Sequence, residues 1–306
     1  EGSWSIRNFD HADDCTCGNP GNVVSDSAAT SLALLPFLGA GQTHEMGKYK
    51  DVVGPGLDWL IAQQLPDGDL SPGSTGNTRM YAHGQGAIVL CEAFMLSGDD
   101  ELRAPAQKAI DFIVKSQHGQ GGWRYRPGSG SDTSVTGWFV MALQSARMAY
   151  LDVDTKALEN VARYLDSAAS LDGSRYGYLP RDGGTVSMTA EGLLCRQYLG
   201  WRRDDRRLAS GVEYIGVHPI DFRDRNVYYW YYAAQVCHHM EGELWNRWNR
   251  VMRELLPEKQ VKQGPQSGSW DPSGDRWGPH GGRLYVTCLS IYMLEVYYRH
   301  LSVYRM

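Results

Sequence analysis

The chain has 306 residues, 42% of them hydrophobic, and its 30 Lys and Arg against 35 Asp and Glu give a formal net charge of −5. That length suits one large domain or two small ones, and an acidic chain without a basic stripe is a poor phosphate-tracking nucleic-acid binder. No apolar run approaches the ~18 residues that would span a bilayer. In chain order, six segments read as apolar helices rich in small residues: Ser25 into Leu38, Met80 into Leu96, Ser131 into Met148, Ser187 into Leu199, Asn226 into Met240 and Leu284 into Tyr298. They are apolar nearly all round, which predicts burial on most sides. Between them, Lys50 to Gln63, Ala104 to Gln117, Lys156 to Ala168, Asp205 to Ile215 and Glu243 to Leu256 carry apolar residues at helical spacing with charges opposite. That pattern puts one face on a core and the other in water. The repeat, at roughly 40 to 57 residues, is that of two-helix units. It predicts a nearly all-α fold, an inner ring of helices inside an outer ring, forming a single α/α toroid over residues 1–306.

The connecting loops share a form. Gln117 to Trp123 reads Q-x-x-x-G-x-W, Gln64 to Leu70 reads Q-x-x-x-G-x-L, and Gln263, Gly268 and Trp270 repeat it with one extra residue. Gln can cap the end of its helix, Gly permits a tight turn, and Trp can wedge between neighbouring repeats. Gly2-Ser3-Trp4 reads as the tail of a further copy. Six inner and five outer helices are thus predicted, with a sixth outer helix upstream of residue 1.

Six cysteines are too few for a disulfide-stapled small domain. Cys91, Cys195, Cys237 and Cys288 lie singly in apolar runs and read as small buried hydrophobes. Cys15-Thr16-Cys17, near His11, Asp13 and Asp14, is a weak metal candidate. A disulfide or reactive thiol, and plain loop cysteines, are the other readings, and no cofactor is expected. The chain opens at Glu1 with no leader, so its compartment is not legible here; an upstream region or anchor is one possibility.

The Q-x-x-x-G-x-W loops resemble the QW repeats of squalene-hopene cyclases, within the prenyltransferase and squalene-oxidase repeat superfamily. Gly121-Gly122-Trp123-Arg124-Tyr125, Ser131 to Trp138, Gly268 to Pro272, Leu35 to Gly41 and Tyr229 to Tyr232 resemble a bacterial branch of it common in planctomycetes. The resemblance implies the toroid along the whole chain. It does not bring the family chemistries with it. The cyclase acid lies in a D-x-D-D-T motif, where this chain reads Ser129-Gly130-Ser131-Asp132-Thr133 and has Ser131 at the acid position. The zinc prenyltransferases have a His where Val286 stands and a D-x-C where Asn226-Val227-Tyr228 stands. The internal thioester of complement-type domains needs a Gln where Pro20 follows Cys17-Gly18-Asn19.

The register of the repeat brings Asp26, His83, Asp132 and Glu191 towards a common mouth as candidate acid–base groups, Asp132 also reading as a helix N-cap. Trp138, Tyr228, Tyr229, Trp230 and His239 are the candidate ligand-binding side chains, with packing as the plainer role for an aromatic stripe. Three functions stand at this point, the third being a pure assembly module. The first is a non-catalytic toroid holding an isoprenoid or other apolar small molecule, or a protein segment. The second is an enzyme on the same scaffold, a divergent terpene cyclase or a glycan-active hydrolase or lyase, working through carboxylates at the mouth.

Overall fold

The computed structural model describes residues 2–9 and 15–299. Helices dominate it, and the one sheet among the described residues is a hairpin of two-residue strands. The chain divides into two compact units. The first is Glu1–Ser5, Val24–Ala168 and Tyr178–Arg181, and the second is Ile6–Val23, Ala169–Gly177 and Asp182–Met306.

The first unit holds α1 (Asp26–Gly39), α2 (Lys50–Ala62), α3 (Arg79–Ser97), α4 (Asp100–Lys115), α5 (Thr133–Met148) and α6 (Thr155–Ala168). Helix α3 packs between α1 and α5, and these three are buried along most of their length. Small residues make this possible: a Cβ at Gly84 of α3 would come within 2.9 Å of Phe139 of α5. By contrast α2, α4 and α6 bury one face each, as with Leu102, Ala106, Ile110 and Ile113 of α4. Side-chain oxygens cap three of the starts, Ser25 for α1, Asp99 for α4 and Asp132 for α5.

The second unit begins with β1 (Ala169–Ser170), a 3-10 turn (Leu171–Gly173) and β2 (Arg175–Tyr176), then α7 (Val186–Tyr198), α8 (Arg206–Gly216), α9 (Val227–Met240), α10 (Gly242–Lys259), α11 (Gly278–Leu294) and the short α12 (Val296–Arg299). Here α9 packs between α7 and α11, again buried nearly all round, while α8 and α10 each bury a single face. Among the described residues, the six apolar and five amphipathic helices of the sequence are thus all present, with bounds shifted by four residues at most for the amphipathic set.

One hydrogen bond recurs at the Trp position of the loops. The backbone N–H of Trp4 donates to Thr30 Oγ1 of α1 (3.0 Å), Trp123 to Thr136 of α5 (3.1 Å), Tyr176 to Thr189 of α7 (3.1 Å) and Trp270 to Thr287 of α11 (3.2 Å). In α3 the acceptor is His83 Nδ1, which takes the N–H of Leu70 at 3.1 Å. The indole N–H groups of Trp123 and Trp270 reach the carbonyls of Ile113 and Leu256, both at 2.8 Å. Burying such a ring stabilises by about 2–3 kcal/mol. Gln64 and Gln117 each donate to the loop carbonyl of Gly68 or Gly121 and to a carbonyl of the next helix, Pro105 or Ala157. In the last loop the sequence pointed to Gln263, but Gln260 fills the role, donating to the Gly268 carbonyl at 2.8 Å. Gln260 stands eight positions before its glycine, against four for Gln117, so the matching side chain lies back at the C-cap of α10.

Candidate active site

Asp132 is fully buried at the N-cap of α5, and its two oxygens do different work. Oδ1 accepts from the Val135 N–H and the Ser134 hydroxyl, both at 2.8 Å. Oδ2 accepts from the Tyr178 hydroxyl at 3.2 Å and lies 3.6 Å from Arg124 Nε. Each side continues outward. The Tyr178 hydroxyl donates to Asp132, so the Tyr125 hydroxyl, in short contact with it, is the donor to Tyr178. The Ser134 hydroxyl likewise donates to Asp132, so Tyr81 donates to Ser134, at 2.5 Å. Two hydroxyl chains, Tyr125–Tyr178 and Tyr81–Ser134, thereby end on one carboxyl.

The backbone fixes this arrangement. Thr133, the first residue of α5, donates its N–H to the Tyr178 carbonyl at 3.0 Å, and the Tyr164 hydroxyl donates to the same oxygen at 3.3 Å. Tyr178 is thereby held over the helix start. Asp132 N–H also closes its loop onto the Trp123 carbonyl (2.9 Å), which sets Arg124 and Tyr125 beside the carboxyl. Arg124 spreads over the rings of Tyr125 and Tyr178, 5.3 and 5.9 Å from their centroids. Its Nε is buried without a hydrogen-bond partner.

Burial pushes the Asp132 carboxyl above the ordinary carboxylate range, and the Val135 N–H, the two hydroxyls and Arg124 only partly offset it. Burial also keeps the Tyr178 phenol protonated well above the usual tyrosine range, reinforced by Tyr125 and by the charge of Asp132. Tyr81, Arg124, Tyr125 and Tyr178 are half-buried, so a covered carboxyl sits beneath a partly open rim of three phenols and a guanidinium.

The other sequence candidates lie elsewhere. His83 is fully buried, 4.5 Å from the Phe112 ring and 5.7 Å from Phe139. Its Nδ1 takes the Leu70 N–H and also lies 3.6 Å from Asp69 Oδ1, while its Nε2 faces the Ala109 carbonyl at 3.1 Å. Beside it Asp69, 1% exposed, accepts from Ser71 N–H and hydroxyl and from Arg79. Burial opposes that charge, yet His83, Ser71 and Arg79 outweigh it and hold the Asp69 carboxyl well below the usual range. Asp26 stands exposed in the first turn of α1. In the second unit Glu191 is fully buried, and Tyr228 of α9 donates to both its oxygens at 3.0 Å.

The apolar-ligand expectation needs correction. Trp138, Tyr228, Tyr229, Trp230 and His239 are each at most 9% exposed. Within the second unit their rings are occupied by other side chains: Tyr228 meets Tyr232 (5.0 Å), Tyr229 meets Trp248 (6.0 Å), Trp230 meets Phe222 (5.1 Å) and His239 meets Tyr198 (5.6 Å). Burial also pulls the His239 pKa down to about 3, and its neutral ring contacts Gln197 at 3.2 Å. These aromatics are core, so an isoprenoid or other apolar molecule is not assigned as a partner. Of the metal candidates, His11, Asp13 and Asp14 lie outside the described residues, while Cys15 and Cys17 are free thiols. His44, Glu45 and Asp99 bring ligand-type atoms within 4.8 Å of one another, but both Asp99 oxygens are engaged, one capping α4 and one on His44 at 3.0 Å.

Comparison with known proteins fixes the fold. No family model matches the chain. A stretch of 78 residues is 36% identical to lanosterol synthase of Candida albicans; it covers 23% of this chain and only 10% of that enzyme. Solved structures superpose along nearly the whole length. Cellobiose 2-epimerase from Spirochaeta thermophila does so with a TM-score of 0.66 at 13% identity, covering 98% of this chain and 90% of its own. The GH76A α-1,6-mannanase of Salegentibacter sp. HEL1_6 gives 0.60 at 9%, covering 92% and 93%. A type II terpene cyclase from Scytonema, in complex with geranylgeranyl dihydroxybenzoate, gives 0.60 at 12%, covering 98% and 92%. The chain has the all-α fold of the α/α toroids. These neighbours are enzymes, and none supports the protein-segment partner of the sequence reading, which is withdrawn with the apolar ligand. No helix among the described residues is long and apolar enough to cross a membrane.

The sequence singles out Asp132 as a candidate but not Tyr81, Arg124, Tyr125 and Tyr178, which the structure brings beside it. A signal for two of them was present. Tyr125 and Tyr178 each stand two residues after the Trp position of their loops, Trp123 and Tyr176.

Proposed function

We propose that the chain is an enzyme of the α/α-toroid scaffold that acts on a carbohydrate, with Asp132 as its general acid–base group. The observation that carries this is the pairing of a covered carboxyl, its pKa raised by burial, with a rim of three phenols and one guanidinium. A carboxyl whose pKa burial has raised is a better proton carrier in acid–base steps than an exposed one. Sugar rings present hydroxyls to such a rim and apolar C–H faces to its aromatic surfaces. An apolar substrate would desolvate the Arg124 guanidinium, whose Nε has no hydrogen-bond partner, at a cost of several kcal/mol. The mannanase and the cellobiose epimerase, whose folds are similar, both act on saccharides.

In this reading Tyr178 donates to Oδ2 of Asp132 and orients the carboxyl, and Arg124 lies against it to steady its charged form. His83 keeps a structural role, taking the place that Thr30, Thr136, Thr189 and Thr287 fill in other repeats. Asp26 carries no step, and Glu191 with Tyr228 stands as the second carboxyl candidate. One toroid domain over residues 1–306, of the planctomycete-type QW branch, belongs to the same proposal and is supported by the recurring loop anchor.

The test is turnover of α-1,6-mannan, cellobiose and starch by the purified chain and by Asp132→Asn. Product formation by the wild type, lost at least a hundredfold in the variant, is the expected result. Turnover that survives Asp132→Asn, or none on a broad glycan panel, overturns the reading.

A further inference from the structure

The second unit contains a pair of thiols that the proposed chemistry does not use. Cys15 and Cys17 place their sulfurs 2.7 Å apart, and both residues are half-buried, open on one side to solvent. The other four cysteines differ in kind. Cys91, Cys195, Cys237 and Cys288 are at most 3% exposed, and burial pushes every one of their thiols up, Cys237 to about 12. They are inert to exchange, since the thiolate is the nucleophile.

The segment after the pair is tightly held. Gln266 donates to the Cys17 carbonyl at 3.0 Å. Arg283 of α11 donates its backbone N–H to the Asn19 carbonyl (3.0 Å) and its guanidinium to the Asn19 side chain (2.5 Å). Gly21 N–H goes to Ile6 O, and Val23 N–H to His280 O. Cys17 is therefore fixed on a clamped strip, with Cys15 two residues before it. Cysteines so spaced have Cα atoms close enough for a bridge, and the sulfurs need approach by only about 0.65 Å to reach bonding distance.

We propose that Cys15 and Cys17 form a redox-active dithiol that closes into an intramolecular disulfide on meeting a disulfide oxidant such as oxidised glutathione. One thiolate attacks the glutathione disulfide, forming a mixed disulfide and releasing one glutathione thiol. The second thiolate attacks the protein sulfur of that mixed disulfide, forming the Cys15–Cys17 bond and expelling the second glutathione thiol. Two protein thiols are oxidised and one glutathione disulfide is reduced to two thiols, with no other reactant. Because the resolving sulfur is already in contact, the second step is effectively unimolecular and the mixed disulfide does not accumulate. The Cys15 sulfur, then burial, push the Cys17 thiol up while Arg283 pulls it down, so exchange quickens towards alkaline pH.

Intact-mass spectrometry of the native chain, incubated with oxidised glutathione, is the test. The wild type should lose two hydrogen masses with no glutathione adduct, recover them with dithiothreitol, and yield a linked peptide containing both residues. Cys15→Ser and Cys17→Ser should each instead carry one stable glutathione. An unchanged wild-type mass, a stable wild-type adduct, or a disulfide mapping to other cysteines would overturn the proposal.

Discussion

The Tyr178 hydroxyl donates to Oδ2 of Asp132, while Oδ1 of the same carboxyl starts helix α5. Structure and proposed chemistry thus share one side chain but not one oxygen. Substitutions can therefore separate them.

Asp132→Asn keeps an oxygen for the Val135 N–H, and Asn caps helices about as well as Asp. Stability should stay within about 0.5 kcal/mol of the wild type while glycan turnover is lost. Asp132→Ala should lose both, with a further drop of about 1 kcal/mol. Paired thermal melts and activity assays distinguish them, and a catalytically competent Asp132→Asn would contradict the assigned role.

The pH dependence has a definite sign. The folded carboxyl of Asp132 binds its proton more tightly than the unfolded one, whose pKa is near 3.8. Its contribution to stability is thus complete below 3.8 and is lost as pH rises through the folded value. Asp132→Asn should therefore gain stability relative to wild type as pH is raised from 3.8 towards neutral. Asp69 behaves oppositely: its folded pKa is depressed, so its contribution is present above 3.8 and fades as pH falls below it. Urea midpoints of wild type, Asp132→Asn and Asp69→Asn from pH 3 to 7 should show the two trends crossing.

Asp69→Ala removes the acceptor for Ser71 and Arg79 beside His83. A loss on the order of 2 kcal/mol at pH 7 is expected, shrinking in acid. A variant as stable as wild type at neutral pH would contradict this account of the loop.

His83→Gln should lower stability without moving the pH–rate profile, because its ring nitrogens face Leu70, Asp69 and the Ala109 carbonyl. A shifted limb in that profile would restore His83 as a proton-transfer group.

Gly121 lies at φ +99°, and a Cβ there would meet the Asn160 carbonyl oxygen at 2.1 Å; Gly68 repeats this at φ +100° against Lys108. Either Gly→Ala change should cost more than about 2 kcal/mol. The same change at Gly98, also at positive φ but with nothing within 4 Å, should cost less. Chemical denaturation orders the three.

The helices were legible because their cause is local. Lys50 to Gln63 is observed as Lys50–Ala62, and Lys156 to Ala168 as Thr155–Ala168, since the hydrophobic period lies within the segment. The site was legible only in part. Asp132 announces itself as a cap, but Tyr178 reaches it across 46 residues of chain through a loop with no periodicity, and Tyr81 does so from the start of another helix. The aromatic run of α9 misled for a related reason. A tyrosine's composition is the same in a core and in a binding site, and only its neighbours, Tyr232 or Trp248, tell them apart.

The recurring N–H anchor at the Trp position has one more consequence. Trp123 and Tyr176 each tie down the near end of a loop, and Asp132 and Thr185, nine residues later in each case, tie down the far end by donating to the anchor residue's own carbonyl. Each such loop is a cassette with matched connectors. Its interior, where Tyr125 and Tyr178 stand, is held between two fixed points on the helix that follows it. New specificities can thus be explored by exchanging cassettes, in the laboratory as over evolutionary time.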